Sequence, residues 1–402
     1  MNTLSRMREE IVMNSQTVLP TAEQIDQTRQ AIDTYISSIA HHPERREGAY
    51  PYYLFHAAGQ PIRGTVLLFH GFSRRPHQLW RLADYLFHNG FNVYQCCLAG
   101  HALLHPEKNW PQVDLKPEIA NPLKEKVQQD RVLQTFFSNL ANSAGVNRLN
   151  PLQQAALVAR LIAIEPLLLD IIQAIETPND PDFDEYYTSS HMNFLTDAEA
   201  RLQELAALPG PVFTLGLSLG ASVALGLAAA HPDRIAKVVA YAPLLKVCGE
   251  EIRRYINLAG PLDIKETAWD SGIQFPVGCL TAVDRFGSSY VLSPQSLTSL
   301  KNIPIFLVLT ANDDATDLKT SQDFYEQTGE EQSGNRYYFY RAEDLVPHPM
   351  VDPTEVSQGM SNRYWRSLYQ ETFRFLTTRE INERNLSNLD QSEDLPQVPA
   401  LV

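Results

Sequence analysis

Basic charge is scarce. Lys and Arg number 33 against 47 Asp and Glu, a formal net charge of −14 over 402 residues, and no basic block stands out. Nucleic acid and anionic membrane surfaces are thereby excluded as main partners. Cysteine is scarcer still: Cys96, Cys97, Cys248 and Cys279 are the four in the chain. They are too few for a disulfide scaffold, and no spacing among them or with histidine suits zinc. Cys96 and Cys97 sit inside an apolar run and read as reduced strand residues. Long apolar runs are missing too. The most apolar window, Leu157 to Ile175, is interrupted by Arg160, Glu165, Pro166 and Asp170 and cannot span a bilayer. Met1 to Ala40 is polar and mixed in charge, without the apolar stretch of a secretory signal. These absences lead to the expectation of a cytoplasmic protein without stable membrane insertion. Neither a GxGxxG nor a P-loop pattern occurs, so no nucleotide or other cofactor is called for.

What is present is ample core material, 44% apolar residues with 20% charged. Gly64–Phe69 (GTVLLF), Phe91–Leu98, Val212–Leu217 (VFTLGL), Ile235–Ala242, Ile303–Thr310 and Arg336–Tyr340 read as strands. Helical patterns alternate with them, at about His77–His88, Leu219–Ala230 and Asn362–Thr377. Such alternation predicts an α/β protein with a mostly parallel sheet covered on both faces. Residues 1–49 form an added helical extension, with apolar positions at near-helical spacing between Thr21 and Ile39. The expected core is 50–103 plus 191–380. A helix-rich insertion, 104–190, is expected to overhang the carboxyl ends of the strands and to turn part of its apolar surface toward the pocket. Its helical stretches are Leu123–Leu140 and Leu152–Ile175. A second insertion spans 247–300, and 381–402 reads as a loosely ordered tail.

The sharpest motif is Gly216-Leu217-Ser218-Leu219-Gly220, at the junction of a strand and a small-residue helix. A serine in that turn is forced into a strained backbone with its hydroxyl over the sheet edge, and the flanking glycines avoid collision with strand and helix. A second motif, His70-Gly71-Phe72, ends the GTVLLF strand, and Gly100-His101 follows the next one.

With these motifs, a late Asp and a final His, the chain from about 50 to 380 resembles the α/β-hydrolase fold family, serine esterase- and lipase-like, with a large cap insertion. The resemblance implies an oxyanion hole from the backbone N–H groups of Phe72 and Leu219, with Ser218 as nucleophile. It implies the chain order Ser, acid, His. Gly100-His101-Ala102 departs from the family's usual Gly-His-Gly. The strand ending at Thr310 runs into Ala311-Asn312-Asp313-Asp314, and the family's register puts the acid on Asp313. Asp314 and Asp317 stand close by, and Asp270 and Asp284 are further alternatives. Two histidines follow Ser218. His231 lies in a helix-end context, whereas His348, in Val346-Pro347-His348-Pro349, stands where the family's base sits. His101 and His105 have i, i+4 spacing but lie in a loop without a third ligand, so no metal is expected. The expected activity is hydrolysis of carboxylic esters through an acyl-serine, on a small-molecule substrate with an apolar acyl or alkyl part. Thioesterase, proline-type peptidase or acyltransferase chemistry, or a catalytically silent binding protein, are the alternatives.

Overall fold

A computed structural model describes residues 17–142, 151–251, 253–254, 265–267 and 273–399 of the chain. Seven strands build the central sheet: β1 (Tyr52–Leu54), β2 (Gly64–Phe69), β3 (Phe91–Cys96), β4 (Val212–Leu217), β5 (Ile235–Tyr241), β6 (Ile305–Thr310) and β7 (Arg336–Tyr340). Their order is β1-β3-β2-β4-β5-β6-β7. β1 runs antiparallel to β3, and every other neighbouring pair is parallel.

All residues of β2, β3, β4 and β6 are buried, which explains why β2, β4 and β6 read as near-continuous apolar runs, while β3 buries Asn92 and Gln95 as well. Successive side chains still take opposite faces. Leu67, Phe69, Tyr94 and Cys96 join a core with the helix Leu219–Ala230. Val66, Leu68 and Val93 join another with Leu82 and Leu86 of the helix Trp80–His88 and with Phe373 and Leu376 of the helix Trp365–Thr378. The small side chains of Leu219–Ala230 let that helix lie close on β4 and β5, and eleven of its twelve residues are buried.

Outside the sheet the helix Ala22–Ala40 starts at Thr21, whose hydroxyl accepts the Gln24 N–H while the Gln24 side chain accepts the Thr21 N–H. Segment 104–190 folds into four longer helices, Pro117–Gln129, Arg131–Asn142, Pro151–Ile164 and Leu168–Glu176. Strands Val113–Leu115 and Tyr187–Ser189 pair antiparallel where the segment leaves and rejoins the core. The two continuous helices expected from the pattern are thus each divided. Asp130 takes an extended backbone and its carboxylate accepts the Val132 and Leu133 N–H groups, ending one helix and capping the next. Pro166 lacks the donor that would carry the second helix through.

The expected loose tail packs instead. Leu386, Leu395 and Val398 are buried in the core beside the helix Trp365–Thr378. Gln370 on that helix donates to the carbonyls of Ser392 and Pro396 and accepts the Ser392 N–H. The apolar contacts and a buried amide that satisfies the backbone together hold this polar stretch. Among the described residues no helix is long and apolar enough to cross a membrane.

Candidate active site

β4 ends at Leu217 and the next helix begins at Leu219, so Ser218 alone makes the turn. Its φ of 60° and ψ of −124° are unfavourable for a residue with a Cβ. The turn is nevertheless firmly held. Ser218 N–H donates to the Tyr241 carbonyl at 2.9 Å, and its own carbonyl accepts the N–H groups of Ala221, Ser222 and Leu244. A Cβ on Gly216 would overlap the Gly220 carbonyl, and one on Gly220 would overlap the carbonyls of Phe69 and His70. Both glycines therefore answer to backbone that passes too close for any side chain.

β2 delivers the second strand end. Gly71 lies so near that a Cβ there would come within 3.5 Å of the Ser218 Cβ. His70, fully buried, donates from Nδ1 to the Gly71 carbonyl at 2.9 Å and accepts the Leu98 N–H at Nε2 at 3.2 Å. Burial drives its pKa down to about 3, so it is a neutral structural ring. Phe72 packs edge-on against Trp110, Phe275 and His101.

β6 and β7 bring the remaining pair. His348 Nδ1 donates to Asp313 Oδ2 at 2.9 Å, and both side chains are almost wholly buried. The other Asp313 oxygen accepts the N–H groups of Ala315 and Thr316. Burial alone would raise the Asp313 pKa, but the His348 charge and hydrogen bond, with these two N–H groups, hold it below the usual carboxylate value. Burial alone would likewise favour neutral His348. The Asp313 charge and hydrogen bond, reinforced by Asp314 and Glu355, outweigh that and raise its pKa above the ordinary 6.5.

The other candidates go elsewhere. Asp314 accepts from Gln358 and Ser357. Asp317 caps the helix Leu318–Gln327. Asp284 is buried against the Val247 N–H, with burial and the neighbouring Glu250 charge raising its pKa to about 7. Asp270 lies outside the described residues. His231 ends the helix Leu219–Ala230 and meets Glu199 at 3.0 Å. His101 stacks on Trp110 at 3.8 Å, while His105 sits out beside Glu107.

A serine on the strand-to-helix turn after β4, a carboxylate after β6 and a histidine after β7 stand at strand ends of one parallel sheet. The chain has the α/β-hydrolase fold. No family model matches it, and no curated protein matches it by sequence. Among solved structures it is similar to a soluble variant of monoglyceride lipase from Saccharomyces cerevisiae, at 14% identity and TM-score 0.46 over 85% of this chain and 98% of that one. It is similar to the monoacylglycerol lipase of Paleococcus ferrophilus, at 14% identity and TM-score 0.45 over 82% and 99%. It is also similar to one of the two metagenome-derived lipolytic enzymes LipS and LipT, at 15% identity and TM-score 0.43 over 76% and 91%.

In this hydrolase fold Ser218 and His348 line one cavity of about 170 Å³, with Gly71, Phe72, Leu217, Leu244 and Pro349. Its far wall is Val247, Cys248, Arg253, Phe275 and Leu280, all from the second insertion. No described residue of 104–190 lines it. The described residues of the long insertion thus do not turn the expected apolar surface to the pocket. Its Leu123, Val127, Leu157, Leu161, Leu168 and Ile171 are spent on the core it shares with the sheet.

Among the residues that escaped the sequence reading, three hold the turn at Gly71. Gln78 accepts the Gly71 N–H at 2.7 Å and donates to Glu355 at 2.9 Å, and Glu355 pairs with Arg74 at 3.3 Å. Burial raises the Glu355 pKa against the pull of Arg74 and Gln78. A glutamate seven residues beyond His348 in a polar loop carries no signal of its own. Only the fold puts it beside residue 78.

Proposed function

We propose that the protein is a serine hydrolase cleaving carboxylic esters through an acyl-serine intermediate, with Ser218, His348 and Asp313 as nucleophile, base and orienting acid. The observation that carries this is the buried His348–Asp313 hydrogen bond on the cavity that Ser218 also lines. With Nδ1 committed to Asp313, the ring presents Nε2 for proton transfer. His348 takes the Ser218 hydroxyl proton as Oγ bonds to the ester carbonyl carbon. The alkoxide so formed is met by the N–H groups of Phe72 and Leu219, each such donor worth roughly 3 kcal/mol in a dry site. Leu219 opens its helix, so its N–H has no acceptor within that helix. Collapse breaks the bond to the leaving alcohol, which takes the proton from His348. Water, deprotonated by the same ring, then releases the acid and restores Ser218.

Phe72, Leu217, Leu244, Val247, Phe275 and Leu280 on the cavity favour an apolar acyl or alkyl part. Fluorophosphonate labelling with peptide mapping, followed by a chain-length panel of p-nitrophenyl esters, tests the reading. Label on Ser218 and a rate rising beyond acetate are expected. Absence of both turnover and labelling would mean a binding protein instead.

A further inference from the structure

The N-terminal segment before β1 reaches the site. Leu104 N–H donates to the Glu44 carbonyl and Arg46 N–H to the Ala102 carbonyl, both at 2.7 Å, so residues 44–46 are stitched to the turn after β3. From there the Arg46 side chain, 2% exposed, runs beneath the turn that follows His70. Its Nη2 donates to the Ser73 carbonyl at 2.7 Å and its Nη1 to the Arg74 carbonyl at 3.0 Å. One planar guanidinium thus grips two consecutive carbonyls, a geometry that an ammonium cannot reproduce. The grip falls where the backbone resists its conformation, since Ser73 has a φ of 62°.

This turn decides where the Phe72 N–H points. In a trans peptide the carbonyl and the following N–H point in opposite directions. The Gly71 carbonyl accepts from His70 Nδ1 and from the Arg74 N–H. Held by both, it fixes the Phe72 N–H in the opposite direction, away from these two donors, and Phe72 lines the cavity. Arg46 secures Arg74 and Ser73, and through the Arg74 N–H it secures the Gly71 carbonyl. The Arg46 guanidinium also lies 6.0 Å from the Trp110 ring, and Trp110 backs Phe72. Gln78 and Glu355 hold the same turn from the opposite side.

We infer that Arg46 is a positioning residue for ester hydrolysis: it fixes the 71–74 turn so that the Phe72 N–H meets the oxyanion. This rests on the serine-hydrolase reading above. It makes the N-terminal extension part of the catalytic apparatus rather than an appendage.

The test compares full-length wild type, Arg46→Ala and Arg46→Lys with Ser218→Ala. Hydrogen–deuterium exchange of the peptide covering 70–78 is measured beside kcat and KM on p-nitrophenyl butyrate, after thermal melts establish that each variant is folded. Expected for Arg46→Ala is faster exchange in that peptide, kcat about 10- to 100-fold lower and KM within twofold, since the lost contact serves the oxyanion rather than the acyl group. Arg46→Lys should recover part of kcat by restoring one of the two donors. Unchanged exchange in 70–78, or a folded Arg46→Ala with kcat within twofold of wild type, would overturn the inference. So would kcat and KM changing together with Lys no better than Ala. If Arg46→Ala does not fold, Arg46→Lys alone decides by the same split. A wild type whose turnover survives Ser218→Ala defeats the hydrolase reading itself, and that failure shows without any Arg46 variant.

Discussion

The two long interruptions of the sheet invite opposite expectations and reverse them. Segment 104–190 is the larger, with two strongly apolar stretches, yet the described side chains of its long helices pack into the main core, and no described residue of it lines the cavity. Segment 247–300 is shorter and less patterned, yet Val247, Cys248, Arg253, Phe275 and Leu280 face Ser218 and His348. Apolar content reports that a segment will be buried, not against what. Lining a site depends on where a segment leaves the sheet and on which of its faces the core has already claimed.

The sharpest way to break this comparison is to remove the centre that both segments flank. Ser218→Ala should abolish ester turnover and fluorophosphonate labelling while leaving the thermal transition in place. Residual turnover within tenfold of wild type would remove Ser218 from the mechanism.

Asp313→Asn comes next, with kcat falling about 10³- to 10⁴-fold because the imidazole loses its orienting acceptor. Asp314→Asn, which disturbs contacts to Ser357 and Gln358 and removes a charge near His348 without touching its hydrogen bond, should cost less than tenfold. Equal small effects at both would point to a different carboxylate.

A third experiment sets the two segments directly against each other. Phe275→Ala and Leu280→Ala should move the preferred ester chain length by enlarging the cavity, with the melting temperature secondary. Leu161→Ala and Leu168→Ala should cost about 2–5 kcal/mol of stability and leave the chain-length profile unmoved. A profile that shifts with Leu161 or Leu168 would restore the long segment as a pocket wall.

The smallest effect is in the pH profile. Only neutral His348 can accept the Ser218 proton, and its pKa lies above 6.5. Activity should therefore decline as pH falls through a value higher than that of free imidazole. Asp314→Asn removes one of the charges that raise it, so the acid limb of kcat/KM should move downward. An upward move would contradict the electrostatics described here.

The elbow was legible because its constraints are local. Gly216 and Gly220 are required by backbone atoms that every chain with this strand-turn-helix must bring together, and the motif announces them. The strand bounds at 64–69 and 212–217 were legible for a related reason, since central parallel strands buried on both faces read as near-continuous apolar runs. Asp313 was readable only to within a cluster of acids. Choosing among them needed the His348 ring, which comes from another strand end 35 residues away. The divided cap helices turned on two residues, Asp130 and Pro166, whose effects the apolar period does not register.

By itself the sequence determined the class of sheet, the serine turn and the strand ends after which Ser218, the Asp313 cluster and His348 fall. These depend on period, on sterics between near neighbours and on strand-end turns. The tertiary structure alone decided which acid meets His348, which insertion walls the cavity and which distant side chains hold the 71–74 turn. Arg46 and Glu355 bind it across 27 and 277 residues of chain, through Ser73 and Gln78. A hydrogen bond between such partners is set by the folded path of the backbone, and no local pattern encodes that path.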